Sequence, residues 1–176
     1  MTCITGTPGT GKSTVGDLLR GYGHTVLEIQ VFAETRGVYS YIENGEILVI
    51  PIDDLMCSIE RAVGPPGGGF IVGHLSHHFK RPTSVVVLRT NPAILEDRLR
   101  EKGWGERKIS ENVEAEAMDL ILSEALELHG DRVSEIDTSE IGEAETARRI
   151  LDVHLEGKRY PPQTRDWLLE HILKEI

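Results

Sequence analysis

Nine residues near the start of the chain restrict its fold more than anything after them. They read Gly6-Thr7-Pro8-Gly9-Thr10-Gly11-Lys12-Ser13-Thr14, which fits G-x-x-x-x-G-K-[ST], the phosphate-binding P-loop. Glycines at these places let successive backbone N–H groups turn inward around phosphate oxygens. The segment before the loop, Thr2–Thr5, is short, apolar and partly β-branched, which suits a buried strand. Lys12 to Arg20 after it reads as a helix with Val15, Leu18 and Leu19 on one face. The helix adds the positive end of its dipole to the cradle. Lys12 is placed to reach the β- and γ-phosphates and Ser13 to hold Mg²⁺. A chance match in 176 residues falls at roughly the 1% level, and the strand and helix around the motif lower that further.

The rest of the chain repeats the alternation. Thr25–Ile29, Phe70-Ile71-Val72, Val85–Leu88 and Arg132–Asp137 read as strands. The two β-branched runs suit central parallel strands buried on both faces. Helices are expected over Asp53–Val63 with Asp53 as N-cap, Pro92–Lys102, Asn112–Leu128 and Glu143–Leu155. Glu43-Asn44-Gly45 is a turn signal, followed by an apolar run at Ile47–Ile52. Pro161-Pro162 breaks the chain before a short amphipathic helix, Asp166–Ile176, whose Trp167, Leu168 and Ile172 are expected to dock on the core. Five strands alternating with helices imply βαβ units, a five-stranded parallel sheet flanked by helices, and one α/β domain over 1–176.

Composition narrows the partners. Nineteen Lys and Arg against 29 Asp and Glu give a formal charge of −10, which argues against nonspecific coating of DNA. Two cysteines, Cys3 and Cys57, are too few for a disulfide framework. A reducing, cytoplasmic setting is expected, with no membrane span and no signal peptide.

Among P-loop proteins, a GTPase would carry Asn-Lys-x-Asp and Asp-x-x-Gly strings, and neither occurs. A small phosphoryl-transfer kinase remains, and such enzymes close positive charge over the transferring group. Arg98, Arg100, Lys102, Arg107 and Lys108 surround Gly103-Trp104-Gly105 and suit a mobile lid. The plainer reading is a solvated helix face, since Glu96, Asp97, Glu101 and Glu106 are interleaved. Arg89, just after the Val85–Leu88 strand, is either a phosphate contact or a surface arginine. Asp137-Thr138 follows the fifth strand and could line a base pocket.

These strings together resemble the adenylate kinase isoenzyme 6 family, which takes in the eukaryotic coilin-interacting nuclear ATPase and an archaeal adenylate kinase branch. The likeness rests on the P-loop, Leu88-Arg89-Thr90, Asp97-Arg98-Leu99 with Lys102-Gly103-Trp104, Lys108-Ile109 with Glu111-Asn112-Val113-Glu114-Ala115-Glu116, and Gly73-His74-Leu75-Ser76-His77. It spans about residues 1–155. The resemblance implies a three-layer P-loop nucleoside monophosphate (NMP) kinase fold. An NMP-binding insert would fall near 28–51, a lid near 101–111 and a helical tail near 160–176. It implies phosphoryl transfer from ATP to AMP or another NMP, with ATPase activity and Mg²⁺. It implies a role in small ribosomal subunit maturation, through that subunit's eleventh protein in the universal naming. By the same likeness Gly9, Thr10, Gly11, Lys12, Ser13 and Thr14 hold ATP phosphates and Lys102 also contacts ATP. Lys12, His74, Arg98 and Lys102 are the candidate catalytic residues.

Two positions depart from that family. Val72 stands where an acidic residue usually ends the third strand, two places before a histidine, here His74. Mg²⁺ then relies on Ser13 and phosphate oxygens, or on Asp53 or Asp54. In the NMP region the string Val31-Phe32-Ala33-Glu34 lacks the family's arginine, and Arg36 is displaced. ATPase activity could therefore outweigh kinase activity. Arg36 is the only base among residues 28–51, and that acidic surface either serves solubility or meets a basic ribosomal protein. His74, His77 and His78 have no cysteine or acid beside them at ligand spacing, so the expectation is a phosphate-facing His74 rather than a zinc site.

Overall fold

The computed structural model describes residues 1–36, 39–43, 46–49, 51–63, 68–163 and 167–169, with the backbone alone over 39–43 and 46–49. Five parallel strands form the sheet: β1 (Thr2–Thr5), β2 (Val26–Glu28), β5 (Phe70–Val72), β6 (Ser84–Arg89) and β7 (Val133–Asp137). Their spatial order is β2-β5-β1-β6-β7, with Thr2 opposite both Phe70 and Ser84. A separate antiparallel hairpin, β3 (Tyr39–Glu43) and β4 (Glu46–Val49), lies between α2 (Ile29–Arg36) and α3 (Ile52–Val63). It falls inside the segment expected as the NMP-binding insert, and Asn44-Gly45 of the turn signal lie outside the described residues.

The sheet is covered on both faces, which is why its strands are continuous apolar runs rather than alternating ones. Cys3, Ile71, Val85, Val87 and Val133 face one way, onto α2, α3 and α6 (Leu120–His129). Ile4, Phe70, Val72, Val86, Leu88 and Ile136 face the other, onto α1 (Lys12–Gly21) and α7 (Glu143–Glu156). Val85 to Leu88 are all fully buried, each such side chain contributing about 1.5–3 kcal/mol. A third, smaller cluster of Leu95, Leu99, Ile109 and Val113 joins α4 (Pro92–Glu101) to α5 (Glu106–Ala117).

Three expectations need correcting. The apolar run at Ile47–Ile52 is not one element: β4 ends at Val49 and α3 starts at Ile52. Asp53 therefore sits in the first turn of α3 rather than at its N-cap, where its charge still favours the helix dipole. The expected single helix over Asn112–Leu128 is two, α5 and α6, broken at Met118 and Asp119. Asp119 adopts a left-handed conformation, φ 56°, which Asp tolerates better than most residues. The break has a tertiary cause. Arg89 Nη2 donates to the Glu116 carbonyl at 2.9 Å and to Asp119 Oδ1 at 2.5 Å, so it draws off a carbonyl that a continuing helix would use.

Of the tail, residues 157–163 and 167–169 are described. Glu135 N donates to the Tyr160 carbonyl at 2.8 Å and Gln163 N to Glu135 Oε2 at 2.7 Å, along the free edge of β7. Trp167 is buried, with the Arg89 guanidinium 4.9 Å from its ring centre, whereas Leu168 is exposed and Ile172 lies outside the described residues. No described helix is long and apolar enough to cross a membrane.

Candidate active site

In a sheet of this order the chain winds outward in opposite directions from β1 and β5, and ligands sit beyond the carboxyl ends at that point. The P-loop leaves the end of β1 there, and Gly73-His74 leaves the end of β5. Two glycines make the loop's path possible. Gly6 has φ 137° and any Cβ would lie 2.3 Å from the Leu88 carbonyl oxygen. Gly9 has φ 97° and a Cβ there would lie 2.6 Å from Leu95 Cδ1. The loop thus rests directly on β6 and α4. Thr10 N and Thr10 Oγ1 both donate to the Thr7 carbonyl, at 3.2 and 2.9 Å, closing the bend.

Gly11 caps α1 in a left-handed conformation and offers no side-chain cap. The first N–H groups of the helix are left for a ligand, and the space beside Gly11 is open to 4 Å. Lys12 Nζ donates to the Thr7 carbonyl at 2.8 Å. Burial pushes its ammonium down to about 7; Glu116 nearby opposes that shift and Lys102 adds to it. A desolvated amine beside free N–H groups fits a polyanion, so the donor set suits a triphosphate. Ser13 is exposed at the mouth of the loop, where its hydroxyl can take Mg²⁺. Neither Asp53 nor Asp54 lines the cavities that flank the loop; Asp53 borders a separate cavity beside His77 and His78. Val72 closes the end of β5 with an apolar side chain, buried in the core.

Those cavities lie one on each side of the loop. One, about 420 Å³, is lined by Gly9, Lys12, Ser13, Glu28, Gln30, Val72, His74, Lys102 and Trp104, among others. The second, about 510 Å³, is lined by Gly9, Gly11, Thr14, Arg98, Lys102, Thr138 and Thr146, among others. Gly9 and Lys102 belong to both.

Each sequence-expected residue can now be placed. Lys12, Ser13, His74 and Lys102 converge on the first cavity. His74 is exposed by surface area, but partial desolvation of its ring, then Lys12 and His78, hold it below the usual imidazole range. Arg98 lies in the second cavity, where Nη2 donates to the Thr138 carbonyl at 2.8 Å. Thr138 lines that cavity, but Asp137 turns away to accept from Ser139 N at 2.8 Å. Of the five lid bases, Arg98 and Lys102 reach the cavities. Arg100 pairs with Glu96 and Glu106, and Arg107 with Glu111, on the exposed face. Lys108 is exposed.

Arg89 is neither a phosphate contact nor a surface residue. It is 3% exposed and donates through Nε to Glu116 Oε1 at 2.7 Å. Glu116, 2% exposed, also accepts from Thr90 N at 2.9 Å and from the Thr7 hydroxyl. The buried carboxylate therefore ties the P-loop, the end of β6 and α5 together. Its signal in the sequence is a charge on an apolar stripe: Ile109, Val113, Glu116 and Ala117 share one buried helix face.

The depressed Lys12 ammonium has a pH consequence. Phosphate binding favours charged Lys12, so nucleotide binding should take up a proton above pH 7. Affinity should fall as pH rises from 7, by up to about tenfold per unit, until the pKa of the complex is reached. Calorimetry in buffers of different ionisation enthalpy at pH 8 reads that uptake directly, and Lys12→Met should abolish it.

A loop after the first strand, a sheet of this order and paired cavities define a P-loop kinase fold. Solved structures agree on the fold. Shikimate kinase from Acinetobacter baumannii superposes with TM-score 0.61 at 18% identity, over 89% of this chain and 93% of that one. A gluconokinase from Sinorhizobium meliloti gives 0.55 at 15%, over 99% and 95%. The family model described as AAA domain matches residues 3–119. Proteins named "Putative adenylate kinase" match from Archaeoglobus fulgidus, at 42% identity over 97% of this chain and 93% of that one, and from Methanothermobacter thermautotrophicus, at 35% over 96% and 99%. The chain belongs to this archaeal adenylate kinase family.

Proposed function

We propose that the protein transfers the terminal phosphoryl group of Mg·ATP to a nucleoside monophosphate. One observation carries the reading: a single P-loop lies between two cavities that meet at Gly9 and Lys102. Phosphoryl transfer between two nucleotides needs two pockets that meet at the transferring group, and an in-line path between them. The nucleoside of ATP occupies the cavity of about 510 Å³, against Thr138 and the Arg98 guanidinium. The acceptor enters the cavity of about 420 Å³. Free amides of the loop and Lys12 hold the β- and γ-phosphates. Lys102 reaches the transferring group from the lid segment 101–111, and Gly103, at φ 74°, marks the bend there. Neutral His74 orients the attacking oxygen. Mg²⁺ at Ser13 supplies charge neutralisation when bound.

The acceptor cavity also favours a second reading. Among the described residues it is lined by Lys12 and Lys102 but by no arginine, and Glu28 is on its wall. Arg36 lies over the Phe32 ring at 5.7 Å, in a depression with Ser58 and Arg61. A weak acceptor site suits an ATPase whose nucleotide state gates a partner. By family resemblance that partner is the eleventh protein of the small ribosomal subunit, met by the acidic surface during subunit maturation in the cytoplasm.

Incubation with Mg·ATP and each NMP, read by chromatography of the nucleotides, separates the two. Formation of a nucleoside diphosphate from the acceptor supports transfer. Hydrolysis of ATP with no phosphorylated acceptor supports the switch, which a pull-down of the ribosomal protein with and without ATP then tests. Neither product overturns both. Arg36→Ala should leave the KM for the monophosphate within about twofold, because the side chain faces another depression. A large rise would place Arg36 in the acceptor site.

A further inference from the structure

The histidine run that the sequence leaves without an acid acquires one in three dimensions. Glu124 of α6 comes beside His77 and His78, which sit in a short 3₁₀ turn after β5. The three residues each offer a ligand atom, and these atoms lie within 4.8 Å of one another. His77 and His78 line a surface cavity of about 370 Å³ that shares no described lining residue with the P-loop cavities, with Asp53, Lys80 and His129 also on its walls. Lys80 there is paired with Asp53 at 3.9 Å.

The His77 ring is held between two oxygens. Its Nδ1 lies 2.9 Å from the Thr5 hydroxyl, which also lies 3.1 Å from the His74 carbonyl. Its Nε2 lies 3.1 Å from Glu124 Oε2, a gap that either a proton on Nε2 or a bound cation bridges. Two ligands on a tetrahedral ion with bonds of about 2.0–2.1 Å stand about 3.3 Å apart, so this pair already has the needed spacing. His77 is held by a second anchor, since His129 Nε2 donates to its carbonyl at 2.5 Å. Its ring is 1% exposed, whereas Glu124 is 45% exposed and His78 half-buried. One ligand is therefore preset, and two can adjust. With a cation on Nε2, Nδ1–H would donate to the Thr5 hydroxyl, the outer hydrogen bond that metal-ligating histidines have.

We propose that His77 Nε2, His78 and Glu124 form a site for a borderline divalent transition cation such as Zn²⁺ or Co²⁺, with water completing the shell. Two imidazoles and one carboxylate select such an ion over Mg²⁺, which takes oxygen ligands. The site does not depend on the phosphoryl-transfer reading. It reaches the active site through Thr5, whose hydroxyl touches both His77 and the carbonyl of His74, so a bound ion would brace the turn that carries His74.

The test uses the full chain freed of metal by a chelator and dialysed. Titration with Co²⁺, followed by its visible d–d absorption, should show one equivalent bound in a low-symmetry nitrogen and oxygen field. Competition with Zn²⁺ should displace it. His78→Ala and Glu124→Gln, both on accessible side chains, should each weaken binding by tenfold or more. His74→Ala should leave it unchanged. Folding of each variant is checked by circular dichroism. Absence of a bound equivalent overturns the proposal and assigns the cation between His77 and Glu124 to a proton. Binding that survives both His78→Ala and Glu124→Gln also overturns it, because the metal is then held elsewhere.

Discussion

Lys12→Ala should reduce turnover by about 10²–10³-fold, the loss seen when one preorganised donor to developing charge is removed, while the melting temperature stays the same or rises. The two halves of that expectation have one cause. Among the described residues Lys12 makes one hydrogen bond, to the Thr7 carbonyl, and burial disfavours its charge in the free protein. Its ammonium costs folding energy and returns it only when phosphate oxygens surround it. Lys12→Arg should not rescue activity, because a planar fork cannot replace a point charge in a loop this tight. Steady-state kinetics and a thermal melt decide the matter. Unchanged turnover in Lys12→Ala would remove the P-loop from the chemistry.

Glu116→Ala should be the most destabilising single change in the site, about 3–5 kcal/mol, since it leaves the Arg89 charge buried without its main partner. For a chain of this length that corresponds to a fall in melting temperature of roughly 6–20 °C. Arg89 would keep Asp119 and the Trp167 ring, which places the loss toward the lower end. Thr7 would also lose its acceptor, so nucleotide affinity should fall along with stability. Glu116→Gln, which keeps an oxygen for Thr7 and Thr90, should recover part of both. Urea unfolding of the three proteins measures the energies. A loss under about 1 kcal/mol for Glu116→Ala would mean that the network relaxes into solvent.

The histidine cluster and Glu116 teach the same lesson about reading chains. His77 and His78 are separated from Glu124 by a strand and two helices, and no spacing rule joins them. Glu116 stands on an apolar helix face, a local hint that some partner exists, but Thr7 and Arg89 lie 109 and 27 residues away. Arg89 shows the limit most plainly. Its place after a strand end points equally to a ligand and to solvent, and it does neither.

Local chemistry in the amino-acid order was enough for the five strands, the loop with its three glycines, the helix that starts at Lys12 and the family to which the chain belongs. Each rests on short-range causes: β-branched runs that must be buried on both sides, glycines that alone accept the loop's torsions, and a helix whose amides need an anion. Folding in space settled the break at Asp119, the division of the lid bases between cavities and solvent, the burial of Arg89 with Glu116, and the meeting of His77 with Glu124. Those outcomes depend on which side chain's charge or lone pair finds a partner across the core. Such long-range pairing is set by how helices pack on the sheet, not by neighbours along the chain.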